Sequence, residues 1–311
     1  MTRDRTPLLL GAIFVLIVAG GPLLPQWALF ILTIAIAQGL VVLGLMLLLR
    51  AGLVSFGQAL YYCVGAYTTV GLTRAFGVSE IFVRLAAGAA VAAVLAFVLG
   101  FLLAKYRGIF FGLLSLALSM ILYGLIVKSE ALGSTDGLNV APATLLGARP
   151  GADSVRYAMA VIAALVGTGA AYAVHLYLGS PLGRLGPAIK DNEIRVEYMG
   201  ASVRYTIHVK YVIAATLAGA GGALAATTVG HIDPEMGYWT TSGEFVFVTI
   251  LAGTGSVLAP FLGALLFSAI HTIAYDVSPH TWQMSLGAAL LLVIVFLPGG
   301  LWSLFARGKA G

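Results

Sequence analysis

The chain has 311 residues, 60% of them hydrophobic and 9% charged, with a formal net charge of +5 and a mean hydropathy of +1.01. A soluble domain carries about 25% charged residues, so this much apolar surface excludes a water-soluble globule and makes lipid the solvent. The basic residues sit at the ends of apolar runs, which reads as membrane orientation rather than nucleic-acid binding, and a single cysteine, Cys63, excludes an intrachain disulfide.

A helix needs about 20 apolar residues to cross the hydrocarbon core. Runs of that kind fall at 8–24, 27–49, 55–73, 81–104, 109–128, 157–178, 209–230, 243–258, 261–276 and 281–298. The first follows Arg3 and Arg5 and reads as a transmembrane helix rather than a signal peptide, because the second begins almost at once past Pro22 and Pro25. The eighth and ninth are short and flank Pro260, so they are candidates for broken or re-entrant helices, which need protein or a watery cavity around their backbone. Small residues crowd 86–100, 214–226 and 253–264, where they permit close approach of helix backbones.

Alternate crossings from a cytoplasmic N-terminus place Arg3, Arg5, Arg50, Lys105, Arg107, Arg184, Lys190, Arg195, Arg204, Lys210, Arg307 and Lys309 inside. Arg74, Arg84, Lys128, Arg149 and Arg156 then lie outside, twelve basic residues against five. This positive-inside bias puts both termini in the cytoplasm. The longest polar stretch, residues 180–210, becomes cytoplasmic; Pro181 suits a helix start and Gly200 a helix end. Ile194 and Tyr198, with Val196 near them, fall on one helical face among charges of both signs, a pattern shared by docking elements and by plain solvated helices. Outside lie a loop over 129–156, rich in turn residues, and a short turn over 231–239, whose Tyr238 and Trp239 also fit an interfacial belt.

Catalytic motifs are missing: there is no HExxH, GxSxG or GxxxxGK[ST], and the five histidines do not pair at ligand spacing, so neither a catalytic residue nor a metal site is expected. Glu244 and Asp276 fall near run ends, leaving no mid-span acid for a proton relay. A transporter without charges of its own for energy coupling needs an outside engine.

Six motifs in order resemble one family. Gly183-Arg184, the run AIKDNE over 188–193 and Gly200-Ala201 resemble the cytoplasmic loop of the branched-chain amino acid ABC importer permeases. SFGQALYYCVGAY (55–67), GSTDGL (133–138), LAGTGSVLAPFLGALL (251–266) and LPGGLW (297–302) resemble further segments of that family. RGIFFGLLSLALS (107–119) resembles its M-type rather than its H-type subunit. Ala252, Ala259 and Ser134 stand where the family commonly has glycine, and Phe110 stands where tyrosine is frequent.

The resemblance implies an all-α membrane protein of about ten helices with a type-II-like importer fold, one permease domain over 1–311. Its coupling segment would be 180–208 and its external loop 129–156. It also implies a bacterial-type inner membrane, a second permease subunit, two cytoplasmic ATPases that hold ATP and magnesium, and an external substrate-binding protein. Under it, Arg184, Lys190, Asp191, Asn192, Glu193, Arg195 and Gly200 are the candidates for coupling to the ATPases. Ser55, Gln58, Tyr61, Tyr62, Tyr67, Ser115 and Ser119 are polar residues within the third and fifth runs and candidates for the translocation path; Ser115 and Ser119 share a helix face. Thr135, Asp136, Asn139, Asp233 and Glu235 are candidates for receiving the binding protein. The rival readings are a simple-sugar ABC permease, a secondary carrier and a membrane-embedded enzyme acting on lipid.

Overall fold

A computed structural model describes residues 6–148, 151, 154–277, 284, 287–288, 291–292, 295–297 and 299–306. The tenth predicted run falls largely outside the described residues, as do Arg3, Arg5, Arg149, Arg307 and Lys309. Helices α1 (Thr6–Gly20), α2 (Gln26–Leu49), α3 (Gln58–Phe76), α4 (Ile81–Leu103) and α5 (Gly108–Val127) follow in order. After the loop over 128–154 come α6 (Val155–Gly179), α7 (Pro181–Tyr198), α8 (Val203–Val229), α9 (Trp239–Ala252) and α10 (Ala259–Val277). Among the described residues six helices, α1, α2, α4, α5, α6 and α8, are long and apolar enough to cross a membrane. Helix α9 has 14 residues, too few to cross the core alone at 1.5 Å per residue.

The bundle is built around α8. Ser202 accepts the Tyr205 N–H and starts this helix six residues before the apolar run does, so only 180–202 separate it from α6. Its alanine- and glycine-rich stretch over 214–226 is almost wholly buried against α2, α3 and α4. A Cβ on Gly222 would enter the Tyr62 carbonyl of α3, and one on Gly219 would meet Ala92 and the Gly88 carbonyl of α4. In a solvent of acyl chains, such close packing takes the place of a hydrophobic drive between helices. Helix α4 shows the resulting division: Gly88, Ala92, Ala96 and Gly100 face the bundle, while Val94, Phe97, Val98 and Phe101 face outward.

The connections gather at two opposite ends. At one, strand β1 (Leu138–Asn139) pairs antiparallel with β2 (His231–Ile232), joining the loop after α5 to the one after α8. Beside it, the Arg84 guanidinium, fully buried, donates from Nη1 to the Ala141 carbonyl at 2.9 Å and from Nη2 to Thr73 Oγ1 at 3.0 Å. Glu80 accepts the Leu146 N–H at 2.9 Å, the Gly147 N–H at 3.2 Å and the Thr144 hydroxyl at 3.1 Å. These bonds, led by the Leu146 N–H, hold the Glu80 carboxyl below its ordinary pKa. A depressed folded-state pKa stabilises above the ordinary carboxylate value and loses that contribution as pH falls through the lowered one. Acidification below about pH 4 is therefore expected to free the Leu146 and Gly147 amides. Glu80→Gln should remove the pH dependence, read as amide exchange corrected for its intrinsic rate.

Two breaks in helical structure lie deep in the bundle. Helix α5 has 20 residues, about 30 Å, the thickness of the hydrocarbon core. Ser115 and Ser119 lie on its buried face, about 10 and 16 Å from its start. Ser115 Oγ accepts the Phe56 N–H at 3.1 Å, ahead of α3, and Ser119 Oγ donates to the Gly237 carbonyl at 2.8 Å, ahead of α9. The backbone at Phe56 and the Gly237 end of the 3₁₀ turn Pro234–Gly237 therefore lie at membrane depth beside α5, while Glu235 in the same turn is exposed. Irregular backbone there needs protein cover.

Candidate functional site

At the end opposite the β ladder stands α7. Ser180 caps it through the Gly183 N–H at 3.2 Å, and Pro181 occupies its first turn. Gly183, Gly186 and Ile189 face inward. Lys210, fully buried at the start of α8, donates to the Gly183 carbonyl at 3.3 Å and lies 5.0 Å from the Tyr177 ring centre. A cation over an aromatic face is attracted by the ring quadrupole, so Lys210 ties α6, α7 and α8 together.

Asn192 divides α7 in two. Its backbone is extended (φ −163°, ψ 98°), and its Oδ1 accepts the Arg195 N–H at 2.9 Å, so it ends one helix and caps the next. Val196, 1% exposed, anchors the second half, and Gly200 turns the chain at φ +84° toward α8. Val196 thus points opposite to Ile194 and Tyr198, against the expectation that it lies near their face: residues two apart stand on opposite sides of a helix. Ile194, Tyr198 and Met199 are left outward at 62%, 89% and 66% exposure, a large apolar patch on a polar segment. Arg184, Lys190, Asp191, Asn192 and Arg195 are exposed around it. Asn192→Ala is expected to cost about 1 kcal/mol of local stability, seen as faster amide exchange over 193–198 with α8 unchanged.

Glu193 is half-buried and already engaged. Its Oε2 accepts from Arg107 Nε at 2.7 Å, while Arg107 Nη1 donates to the Ala104 and Tyr106 carbonyls at 2.8 Å each. With side chains 29% and 44% exposed, this pair contributes about 0.2–1 kcal/mol, too little to explain its place by stability. Beside it, the Lys190 stem lies over Gly52, and Arg50 Nε donates to the Thr254 carbonyl at 2.9 Å. A cavity of about 520 Å³ opens between these groups, lined by Arg50, Pro187, Lys190, Asp191, Thr249 and Thr254.

The polar residues of the third and fifth runs converge around the two helix breaks. Ser55 accepts the Gly57 N–H at 3.3 Å, the Tyr61 and Tyr211 hydroxyls bond at 2.9 Å, and Tyr62 packs edge-on to Phe245 at 5.2 Å. Ser115 and Ser119 hold backbone, as above. Among the described residues, the Gln58 amide, fully buried, and the Tyr67 hydroxyl have no hydrogen-bond partner. At the other end, Thr135, Asp136 and Asn139 are exposed and Asn139 Oδ1 meets His231 Nδ1 at 3.0 Å; past β2 the chain runs inward, where Asp233 caps the 3₁₀ turn through the Met236 N–H at 3.2 Å and Glu235 of that turn is exposed.

Three cations counted in the sequence as topology markers turn out to hold structure. Arg84 and Lys210 are wholly buried, and Arg107 reaches Glu193 across 86 positions. Arg107 stood inside the RGIFF motif, which was a signal in itself; the other two gave none.

A helical bundle with breaks at membrane depth and a polar segment at one end is compatible with a multi-pass membrane permease. A family model for the branched-chain amino acid transport system permease component matches residues 27–295, and the chain belongs to that family. It is 27% identical to the high-affinity branched-chain amino acid transport system permease protein LivM of Escherichia coli K12, over 96% of this chain and 75% of that protein. Its identity to the LivM protein of Salmonella typhimurium LT2 is 26% over the same shares. No solved structure matches the chain.

Proposed function

We propose that the chain is the membrane subunit of an ATP-driven importer for branched-chain amino acids or a related small amide, urea or carboxylate. The family match over most of the chain carries this reading, and the names of the two relatives supply the substrate class. The permease domain spans 1–311. It works beside a second permease subunit, with two ATPases below and a binding protein outside, in a bacterial-type inner membrane with both chain ends in the cytoplasm. ATP and magnesium stay on the ATPases.

In this reading the end bearing α7 is cytoplasmic. Arg184, Lys190, Asp191, Asn192, Glu193, Arg195 and Gly200 form or shape the surface that meets an ATPase, with Ile194, Tyr198 and Met199 as its apolar centre. Their exposure supports this, because an apolar patch that size on an aqueous end fits a protein contact. The path runs past Ser55, Gln58, Tyr61, Tyr62, Tyr67, Ser115 and Ser119. Support comes from the unpartnered Gln58 amide, since a buried polar group without a partner costs about 1–3 kcal/mol and fits a site that opens to water or solute. Thr135, Asp136, Asn139, Asp233 and Glu235 receive the binding protein.

The test is reconstitution of the chain with its partner permease, both ATPases and the binding protein in vesicles. Leucine should accumulate only with ATP on the ATPase side and binding protein on the other. Uptake driven by a proton gradient without ATP would mark a secondary carrier, and uptake of simple sugars alone would favour a sugar permease.

A further inference from the structure

We infer that the Arg107–Glu193 contact is the joint through which movement of α7 reaches α5, and that α5 hands it to both breaks at membrane depth through Ser115 and Ser119. This rests on the reading of α7 as the segment that meets the ATPases.

The geometry forms one continuous chain of bonds. Glu193 opens the second half of α7, just past the Asn192 break, and Val196 fixes that half in the bundle. Its carboxylate grips Arg107, the residue that caps α5, at 2.7 Å. Arg107 holds the preceding turn as well, through the Ala104 and Tyr106 carbonyls, so a pull on the guanidinium acts on the start of α5 as a unit. A helix transmits displacement along its axis because each residue is tied to the fourth behind it. Inside the membrane, Ser115 holds the Phe56 N–H and Ser119 the Gly237 carbonyl, both serines being at most 1% exposed.

The rest of α5 leaves it free to move. It packs on the bundle by the stripe Phe111, Gly112, Ser115, Ser119 and Ile126, while Ile109, Phe110, Leu113, Ile121 and Leu125 are 55–71% exposed. A rod bound along one narrow stripe can shift more readily than a helix buried over most of its length, such as α8. The segments it holds are not α-helical, one being irregular backbone and the other a single 3₁₀ turn, so they carry few of the backbone bonds that resist bending. An input at Glu193 therefore reaches the two places at membrane depth where the backbone gives most easily. A demonstrated coupling of this sort requires that both ends bias one element, and here that element is α5.

The experiment uses the full transporter in vesicles with Arg107→Glu, Glu193→Arg and the double exchange, beside the neutral variants Arg107→Gln and Glu193→Gln. Three quantities are read: co-purification with the ATPases, ATP hydrolysis, and uptake per ATP hydrolysed. Arg107→Glu should keep the complex assembled and hydrolysing while uptake per ATP falls about tenfold, and Glu193→Arg should lower uptake per ATP hydrolysed by the same factor. The double exchange should restore most of it, and the neutral variants should show a smaller loss of the same kind, which guards against misfolding of a reversed variant. Unchanged uptake per ATP in the single variants, or no recovery in the double exchange, overturns the inference. Loss of ATPase binding in Glu193→Arg and Glu193→Gln with Arg107→Gln unaffected would make Glu193 a docking residue and overturn the joint while leaving the coupling reading intact. A wild-type chain that does not bind ATPases overturns both.

Discussion

Replacing Gly222 by valine is expected to leave no folded protein in the membrane. Its new side chain would enter the Tyr62 carbonyl on the neighbouring helix, and backbone cannot swing aside as a flexible side chain does. Overpacking of a core costs about 1–3 kcal/mol when side chains can yield, and here α3 itself would have to move away from α8. That separation would also strip Gly65 of α3 from Gly219 of α8, which are in backbone contact one turn away. The contrasting substitution is Gly71→Ala, on the same α3. A Cβ there finds no atom within 4 Å, so alanine should be neutral or add up to about 1 kcal/mol through helix propensity. Fluorescence size-exclusion of detergent extracts decides between them: a monodisperse peak for Gly222→Val would show that α8 is not held as closely as described.

Arg84→Ala should be the most damaging change of a charged residue. It removes two bonds from an ionised donor, each worth about 1.5–3 kcal/mol, and opens a cavity where a large side chain is wholly enclosed. A loss of about 3–5 kcal/mol is expected, a drop of many degrees in thermal unfolding in detergent. Arg84→Met separates the two causes, because methionine fills the space without the bonds. Thermal stability should largely return in it, while proteolysis over 138–148 stays faster than in the wild type. Arg84→Lys should not restore the loop, since a single ammonium does not reproduce the planar fork that spans Ala141 and Thr73.

Hydropathy placed five of the ten runs to within two residues at both ends. The runs 27–49, 81–104 and 109–128 meet helices Gln26–Leu49, Ile81–Leu103 and Gly108–Val127, because a segment's transfer into lipid depends on its composition alone. It failed where backbone form and apolarity part company. Residues 55–57 are apolar enough to count as span but are not helical. The polar start of α8 is helical because Ser202 caps it, and α9 begins and ends earlier than its run, at Trp239 and Ala252. The motifs LAGTGS and LPGGLW were legible singly; their meeting, with the Leu301 N–H on the Leu251 carbonyl at 2.8 Å, was not.

The candidate site was legible in part for the same reason. Charge and helix propensity located α7, and the exposed Arg184, Lys190 and Asp191 follow from it. The break at Asn192 did not show, because asparagine inside a polar helical stretch looks like any exposed residue until its backbone angles are seen. The pairing of Glu193 with Arg107 spans 86 positions, and nothing in one sequence ties them. Lys210 read as a marker of orientation, since only packing reveals that its ammonium is enclosed.

The two ends of the bundle differ in stiffness. At the ladder end, beside the side-chain bonds of Arg84 and Glu80, several links run from backbone to backbone: β1 to β2, Val140 N–H to Gly230 O at 3.0 Å, Thr144 N–H to Ser79 O at 2.9 Å and Ile81 N–H to Thr144 O at 3.1 Å. At the α7 end the Arg107, Arg50 and Lys210 links run through long side chains, which bend at several rotatable bonds before they break. A load shared between such ends deforms the compliant one first. In the proposed importer, a push at α7 would be taken up at that end before it reached the β ladder.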